Sequence, residues 1–219
     1  MIRTMVYDRD SGQTNIGDEK NLYHSEKSPS EWMWVDFNDI DSPQESKVFE
    51  TFFSFDLLAI ADARRDMHPP KLEQFENYFF LLLKGLDSST ETIDFRTIQI
   101  AFFVTEHLLV TARKECSPSI DHLWEKCTMD KHILQQGPAH VVYQISRSLT
   151  DRYTGIITGM ESSLDELENE MFENPGDNLL EELVGHGKNL KKLKRIFIYH
   201  QNIFSRLSSK TQPFVPKHG

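Results

Sequence analysis

The chain has 219 residues, 38% of them hydrophobic, and a formal net charge of −10. This acidic balance argues against nucleic-acid binding, which requires a basic face. No apolar run approaches the roughly 18 residues of a membrane-spanning helix. Two cysteines, Cys116 and Cys127, are too few for a disulfide framework, and no secretory segment is recognisable. We therefore expect a soluble, intracellular chain with enough apolar residues for a substantial core.

The N-terminal third predicts strands followed by two short helices. Strands are predicted at residues 2–7 and 32–37, and the polar stretch between them predicts loop with room for one weak strand. Ser42-Pro43-Gln44-Glu45 predicts the start of a helix that runs to about Ser54, because Ser caps, Pro suits the first turn and Glu completes a capping box. A second helix is predicted at residues 56–64, and Pro69 and Pro70 end it.

Residues 71–86 contain a continuous apolar run, which predicts one interior strand covered on both faces. Residues 92–104 and 108–113 predict two more strands, joined by a short hairpin turn. Ser117-Pro118 predicts another helix start, and this helix covers residues 119–135.

The C-terminal part predicts two long helices. Apolar residues recur every three or four positions from Val142 to Met171, which is the period of a helix about 50 Å long. Asn174-Pro175-Gly176-Asp177 predicts a turn. A second apolar stripe follows, made of Leu180, Leu183, Leu190, Leu193, Phe197, Phe204 and Leu207. Two long helices joined by a short turn must lie antiparallel, each burying its stripe on the other.

Charge is divided along this predicted hairpin. Nine acids and no bases lie between Glu161 and Glu182, and five bases and no acids lie between Lys188 and Arg195. The two blocks could face each other across the hairpin, or both could be ordinary solvated faces. Gly155 and Gly159 predict close backbone approach to a neighbouring element.

These elements predict an α/β (α+β) fold, in which a mixed β-sheet flanked by helices precedes a long antiparallel helical hairpin. We divide the chain into an α/β/α subdomain at residues 1–137, the hairpin at residues 138–209 and the start of a linker at residues 210–219.

No pattern in the sequence predicts catalysis. Cys116, His122, Cys127 and His132 lack the paired Cys-x2-Cys spacing of structural zinc sites. Asp36, Asp39 and Asp41 alternate as in a calcium loop, but the glycine and the closing glutamate are missing. Neither a glycine-rich phosphate loop nor a nucleophile elbow is present, so we expect a protein that is not an enzyme.

Several motifs in collinear order resemble the cytoplasmic domain of the CorA family of divalent-cation transporters. The matching residues are Trp34-Val35-Asp36, Leu58, Asp62, Pro70-Lys71, Glu73 and Tyr78. Residues 98–114 resemble the paired strands of that family, and residues 151–168 resemble its first hairpin helix. The resemblance covers nearly the whole chain.

The resemblance implies a homopentamer whose subunits hang from the cytoplasmic face of the inner membrane on a stalk helix. Two transmembrane helices and a Gly-Met-Asn motif would follow the stalk, and residues 1–219 contain neither. We therefore expect a fragment of a longer transporter, able to exist as a monomer or dimer by itself. Its partners would be copies of itself, divalent cations and, through the missing helices, the membrane.

The resemblance also implies that Mg²⁺ bound between neighbouring domains keeps the pore shut, with Asp62 as one ligand. The alternative for Asp62 is a solvated aspartate at a helix end, near Arg64 and Arg65. Two further ligands of the family are replaced here by Ala61 and Arg147. A methyl group cannot coordinate and a guanidinium repels a cation, so we expect the second site to be missing.

Three functions are considered, and the replacements at Ala61 and Arg147 are the reason for the second. The first is a regulatory domain of a Mg²⁺/Co²⁺ transporter, and the second belongs to the zinc-transporting, ZntB-like branch of the same superfamily, or to a proton-coupled or nickel/cobalt transporter. The third is a stand-alone protein that uses its helical hairpin as an interaction surface.

Overall fold

The computed structural model describes residues 1–24, 28–66, 68–90, 95–173 and 176–209. Its strands are β1 (Ile2–Asp8), β2 (Thr14–Gly17), β3 (Glu31–Phe37), β4 (Lys71–Gln74), β5 (Phe79–Leu86), β6 (Thr97–Val104) and β7 (Leu108–Ala112). Its helices are α1 (Asn21–His24), α2 (Pro43–Phe52), α3 (Leu57–Arg64), α4 (Pro118–Met129), α5 (His132–Gln135), α6 (Pro138–Glu173) and α7 (Asp177–Ser208). The predicted linker at residues 210–219, the turn residues Asn174 and Pro175, and residues 92–94 lie outside the described residues.

These strands form one sheet in the order β2-β1-β3-β7-β6-β5-β4. β3 and β7 are parallel, whereas the other neighbouring pairs are antiparallel. Every residue of β5 is buried, which confirms the predicted interior strand. The predicted α/β (α+β) fold is confirmed, with a mixed sheet, flanking helices and a long helical hairpin.

The prediction of one strand over residues 71–86 is wrong, because β4 and β5 are separate antiparallel strands. β4 ends at Gln74, the Phe75 N–H donates to the Tyr78 carbonyl at 2.8 Å, and β5 begins at Phe79. The polar pair Glu76-Asn77 occupies this reversal, and asparagine is a common turn residue.

The helix predicted over residues 119–135 is likewise divided, into α4 and α5. α4 ends at Met129, and the carboxylate of Asp130 accepts the N–H of His132 at 3.0 Å. A short aspartate side chain often starts a new turn in this way, because it satisfies a backbone donor that the preceding helix cannot.

Helices cover both faces of the sheet. α2 and α3 lie on one face, where the rings of Phe49 and Phe103 are 5.4 Å apart. α4, α5 and α6 lie on the other face, where the rings of Trp34 and Trp124 are 4.7 Å apart. Successive side chains of the central strands alternate between these two cores, as the pleat of a strand requires.

α6 and α7 pair antiparallel, as predicted. Near the sheet, Tyr153 of α6 contacts Phe197 of α7, with ring centroids 5.3 Å apart. Farther along α6, Ser163 Oγ lies 3.1 Å from His186 Nε2 of α7. Residue numbers therefore rise on one helix as they fall on the other. Among the described residues, no helix combines the length and apolar character that a bilayer crossing requires.

The apolar stripe predicted for α7 is confirmed from Leu193 onward, where Phe197, Phe204 and Leu207 also pack against the core, and is wrong before it. Leu180, Leu183 and Leu190 are exposed to 65%, 42% and 46%. The inward positions instead include two histidines, His186 and His200, which are 4% and 5% exposed. Periodicity treats histidine as polar, but a neutral imidazole with a hydrogen-bond partner is readily buried. The stripe on α6 is buried as far as Leu167, except that Leu164 is half-buried, and Met171 is exposed.

The register of the hairpin also separates its charge blocks. Because Ser163 lies opposite His186, the acids between Glu161 and Glu182 lie at the far end of both helices. The bases from Lys188 to Arg195 lie on α7 nearer the sheet. Of the two alternatives, the one in which these blocks face each other is therefore wrong.

Gly85, rather than the predicted Gly155 and Gly159, is the glycine at which α6 approaches a neighbouring element closely. A Cβ built on Gly155 or Gly159 meets nothing within 4 Å, so that prediction is wrong. A Cβ on Gly85 of β5 would lie 2.7 Å from Leu149 Cδ2 of α6. The missing side chain at Gly85 lets α6 lie directly on the sheet.

Candidate functional site

Asp62, which the resemblance marks as a metal ligand, lies in the last turn of α3 and is 8% exposed. Lys71, the first residue of β4, places Nζ 2.5 Å from Asp62 Oδ2. On the other oxygen, Arg65 Nη1 and His68 Nε2 lie 3.6 and 3.5 Å from Oδ1. Basic side chains, rather than further oxygen donors, therefore surround the carboxylate within the chain.

The electrostatics favour a charged pair of Asp62 and Lys71. Burial opposes the charged form of Asp62, but the hydrogen bond and charge of Lys71, with the two other basic neighbours, hold the pKa of the carboxyl below its usual range. Burial also opposes the charge of Lys71, yet Asp62 and Glu73 raise the pKa of its ammonium. Asp62 is thus not a solvated aspartate, and Arg64, expected near it, pairs with Glu50 at 3.0 Å.

The two replaced ligand positions contribute no oxygen donor. Ala61 is exposed on α3. Arg147 lies on α6, where its Nε is 3.8 Å from Asp151 Oδ2 and its side chain is 64% exposed. Within the described residues, no three Asp, Glu, His or Cys side chains gather into a group that could hold a metal.

The cysteines and histidines weighed as a zinc site are distributed along the chain. Cys127 is buried in the core, and burial raises the pKa of its thiol to about 12, which disfavours the thiolate that zinc binds. Cys116, His122 and His132 are exposed.

Two of the three aspartates that alternate as in a calcium loop, Asp36 and Asp41, have separate ion-pair partners. Asp36 is fully buried and accepts hydrogen bonds from Arg113 and, at 2.8 Å, from Arg3 Nε. Asp41 instead lies 2.6 Å from Lys114 Nζ. Asp36, which belongs to the Trp-Val-Asp motif, therefore ties β1, β3 and the end of β7 together inside the core.

A set of buried and partly buried hydrogen bonds, which the sequence did not predict, connects Asp62 to the hairpin. Gln99 Nε2 donates to the Asp62 carbonyl at 2.7 Å, and Lys84 Nζ donates to Gln99 Oε1 at 3.1 Å. The Lys84 N–H donates to His200 Nε2 at 3.2 Å, and the Tyr153 hydroxyl donates to the Lys84 carbonyl at 3.1 Å. We call these five residues the Lys84 network.

Its central residue did have a signal in the sequence, namely one lysine inside the apolar strand β5. Burial lowers the pKa of Lys84 to about 8, partly offset by Asp66. β4 pairs with β5 only as far as Leu82. The Lys84 N–H therefore has no partner strand on that side, and His200 accepts it instead.

Fold and sequence together define the class of protein. The family model described as "CorA-like Mg2+ transporter protein" matches residues 29–218, so the chain belongs to this family. The soluble domain of CorA from Methanocaldococcus jannaschii has the same fold, with a TM-score of 0.81 at 18% identity over 99% of this chain and 82% of that one. The ZntB cytoplasmic domain from Vibrio parahaemolyticus has a TM-score of 0.65 at 16% identity over 96% and 81%.

Two similar proteins are named as metal-ion transporters. The "Putative metal ion transporter YfjQ" of Bacillus subtilis is 29% identical over 178 residues, which are 81% of this chain and 54% of the relative. The "Cobalt/magnesium transport protein CorA" of Thermotoga maritima is 21% identical over 185 residues, which are 84% of this chain and 53% of the relative. The chain thus spans about half the length of the curated relatives it matches.

Proposed function

We propose that this chain is the cytoplasmic regulatory domain of a membrane transporter for divalent cations, with Mg²⁺ or Co²⁺ as cargo. The observation that supports this proposal most is the family match over residues 29–218. Two relatives named for cobalt and magnesium transport favour those ions over zinc. In this proposal the whole transporter is a homopentamer at the inner membrane.

The Lys84 network supplies a physical connection for regulation. It joins the carbonyl of Asp62, at the end of α3, to Tyr153 and His200 on the two helices of the hairpin. Buried hydrogen bonds are costly to leave unmade, so a displacement of α3 is resisted unless the hairpin follows. In this proposal, the hairpin transmits the displacement of α3 to the pore.

The binding of Mg²⁺ to Asp62 stays a prediction. Mg²⁺ prefers oxygen ligands and is usually held through one or two carboxylates and several waters. Asp62 supplies one carboxylate, and Lys71, Arg65 and His68 already lie at its two oxygens. This donor set does not fit a divalent cation unless a second subunit supplies further carboxylates and Lys71 moves away.

The proposed function is tested on the complete transporter in liposomes. The coding sequence after Gly219 is read first, and two apolar segments of about 20 residues are expected there. Uptake of Mg²⁺, Co²⁺ and Zn²⁺ is then measured with ion-sensitive dyes. Uptake of Zn²⁺ alone would favour the zinc-transporting branch, and uptake of none of the three would overturn the proposal.

The regulatory part is tested with matched glutamine variants. Gln99→Met breaks the Lys84 network between α3 and β5, so we expect an altered rate of Mg²⁺ uptake. Gln44→Met is the control, because Gln44 is exposed on α2 and its side chain donates a hydrogen bond to Glu19 at 3.0 Å, away from the Lys84 network. Equal uptake rates in both variants would show that the network does not regulate the pore.

The second candidate, a stand-alone interaction protein, draws on the exposed apolar side chains of the hairpin. Phe172, Leu180 and Leu190 are exposed to 83%, 65% and 46%. Exposed apolar surface of this kind commonly marks a contact with another element. A stop codon directly after Gly219 would favour this candidate over the transporter.

A further inference from the structure

Lys71 occupies the position beside Asp62 that a bound cation would take. Its Nζ lies 2.5 Å from Asp62 Oδ2 and 2.8 Å from Glu73 Oε2, so one ammonium bridges two carboxylates. The same Nζ lies 5.4 Å from the centroid of the Phe80 ring, within the range of a cation–π interaction. The lysine side chain is 19% exposed, and that of Asp62 is 12% exposed.

The other oxygen of Asp62 is no more open to a cation. Arg65 and His68 approach Oδ1 at 3.6 and 3.5 Å. A divalent ion arriving at this carboxylate would meet a fixed ammonium and a guanidinium before it met a second oxygen ligand. It would also have to displace a short, charge-assisted hydrogen bond, which is among the stronger polar contacts in proteins.

We propose that Lys71 is a tethered cation that takes the place of a divalent metal ion between Asp62 and Glu73. The ammonium of Lys71 supplies the positive charge at this site. It connects the end of α3 to β4 without a metal ion. Within one copy of the chain, Asp62 therefore does not bind Mg²⁺ while Lys71 is paired with it. The role of this ion pair in regulation rests on the proposed function, whereas the ion pair itself is a contact within the chain.

The proposal predicts a gain of metal binding when the lysine is removed. Lys71→Met keeps an apolar stem against Phe80 but leaves Asp62 and Glu73 facing each other without a cation. In the wild type, Asp62 Oδ2 and Glu73 Oε2 both contact Lys71 Nζ, so a single metal ion in place of the ammonium can reach both oxygens. Two carboxylates and water form a set that Mg²⁺ and Mn²⁺ both accept.

The test is the broadening of backbone amide signals by Mn²⁺ in two-dimensional ¹⁵N NMR spectra of this chain. In the wild type, amides near Asp62 should keep their signals at Mn²⁺ concentrations that broaden the acidic stretch between Glu161 and Glu182, which serves as an internal positive control. In Lys71→Met, the amides near Asp62 should lose their signals, and Mg²⁺ should restore them by competition. The double variant Lys71→Met with Asp62→Asn should again keep them.

Two further variants control for charge and folding. Lys126→Met removes one positive charge from an exposed position on α4, on the other face of the sheet, so it changes the net charge equally and should leave the Asp62 signals intact. Lys71→Arg keeps the charge and should behave as the wild type does, even if Lys71→Met does not fold.

Loss of the Asp62 signals in the wild type or in Lys71→Arg would overturn the proposal. Retention of those signals in a folded Lys71→Met chain would overturn it as well. Neither result bears on cation uptake by the transporter, so the proposed function stands or falls separately.

Discussion

Burial of His200 makes the stability of the protein depend on pH. His200 is 5% exposed, and its Nε2 accepts the N–H of Lys84, which requires the neutral imidazole. Tyr153 and Phe204 pack around the ring, with centroids 6.4 and 5.8 Å away. Burial lowers the pKa of His200 from 6.5 to about 4.

The direction of the effect follows from proton binding. Below about pH 6.5 the unfolded chain protonates this histidine, whereas the folded chain keeps it neutral until about pH 4. The unfolded state therefore binds more protons in this window, and the free energy of unfolding falls as the pH is lowered through it. Each pKa unit corresponds to about 1.4 kcal/mol, so the loss reaches roughly 3 kcal/mol at the acid end and about 2 kcal/mol at about pH 5.

The assay is urea denaturation of the wild type and of His200→Gln between about pH 7 and about pH 5. A glutamine carbonyl can still accept the Lys84 N–H but does not titrate, so the variant should lose about 2 kcal/mol less than the wild type. Carboxylates contribute equally to both proteins and cancel in the comparison. His122→Gln, which removes an exposed histidine of α4 by the same substitution, is the matched control. Equal pH dependence of the wild type and His200→Gln would refute the reasoning.

Three further predictions concern stability and are measured by urea denaturation at neutral pH. Asp36→Ala removes the fully buried one of the two carboxylates that pair with the guanidinium of Arg113 and should cost about 3–5 kcal/mol, and a loss below about 1 kcal/mol would show that the pair is not buried in solution. Gly85→Ala places a methyl group against α6 and should cost about 1–3 kcal/mol, whereas Gly155→Ala, in an open helical position, should stabilise by up to about 1 kcal/mol. The opposite order of these two variants would contradict the packing of α6 on β5. Tyr153→Phe removes the buried hydrogen bond to the Lys84 carbonyl and should cost about 1–3 kcal/mol, and an unchanged midpoint would exclude that bond.

Local pattern in the sequence predicted much of the fold. The apolar stripe from Val142 to Leu167 predicted α6, because a helical spacing of apolar residues indicates a helix whatever element packs against it. The continuous apolar run of β5 predicted burial on both faces, since a strand with one solvent-exposed face alternates apolar and polar residues. The motif residues indicated the CorA family, and the match over residues 29–218 confirms it.

Tertiary structure decided which polar residues of α7 face inward and which charges lie beside Asp62. His186 and His200 face inward because Ser163 and Lys84 happen to lie opposite them, and no pattern along α7 encodes those partners. Lys71 reaches Asp62 only because β4 returns beside the end of α3. A sequence records the polarity and spacing of residues, whereas the charge that a buried carboxylate meets depends on which distant segment folds against it.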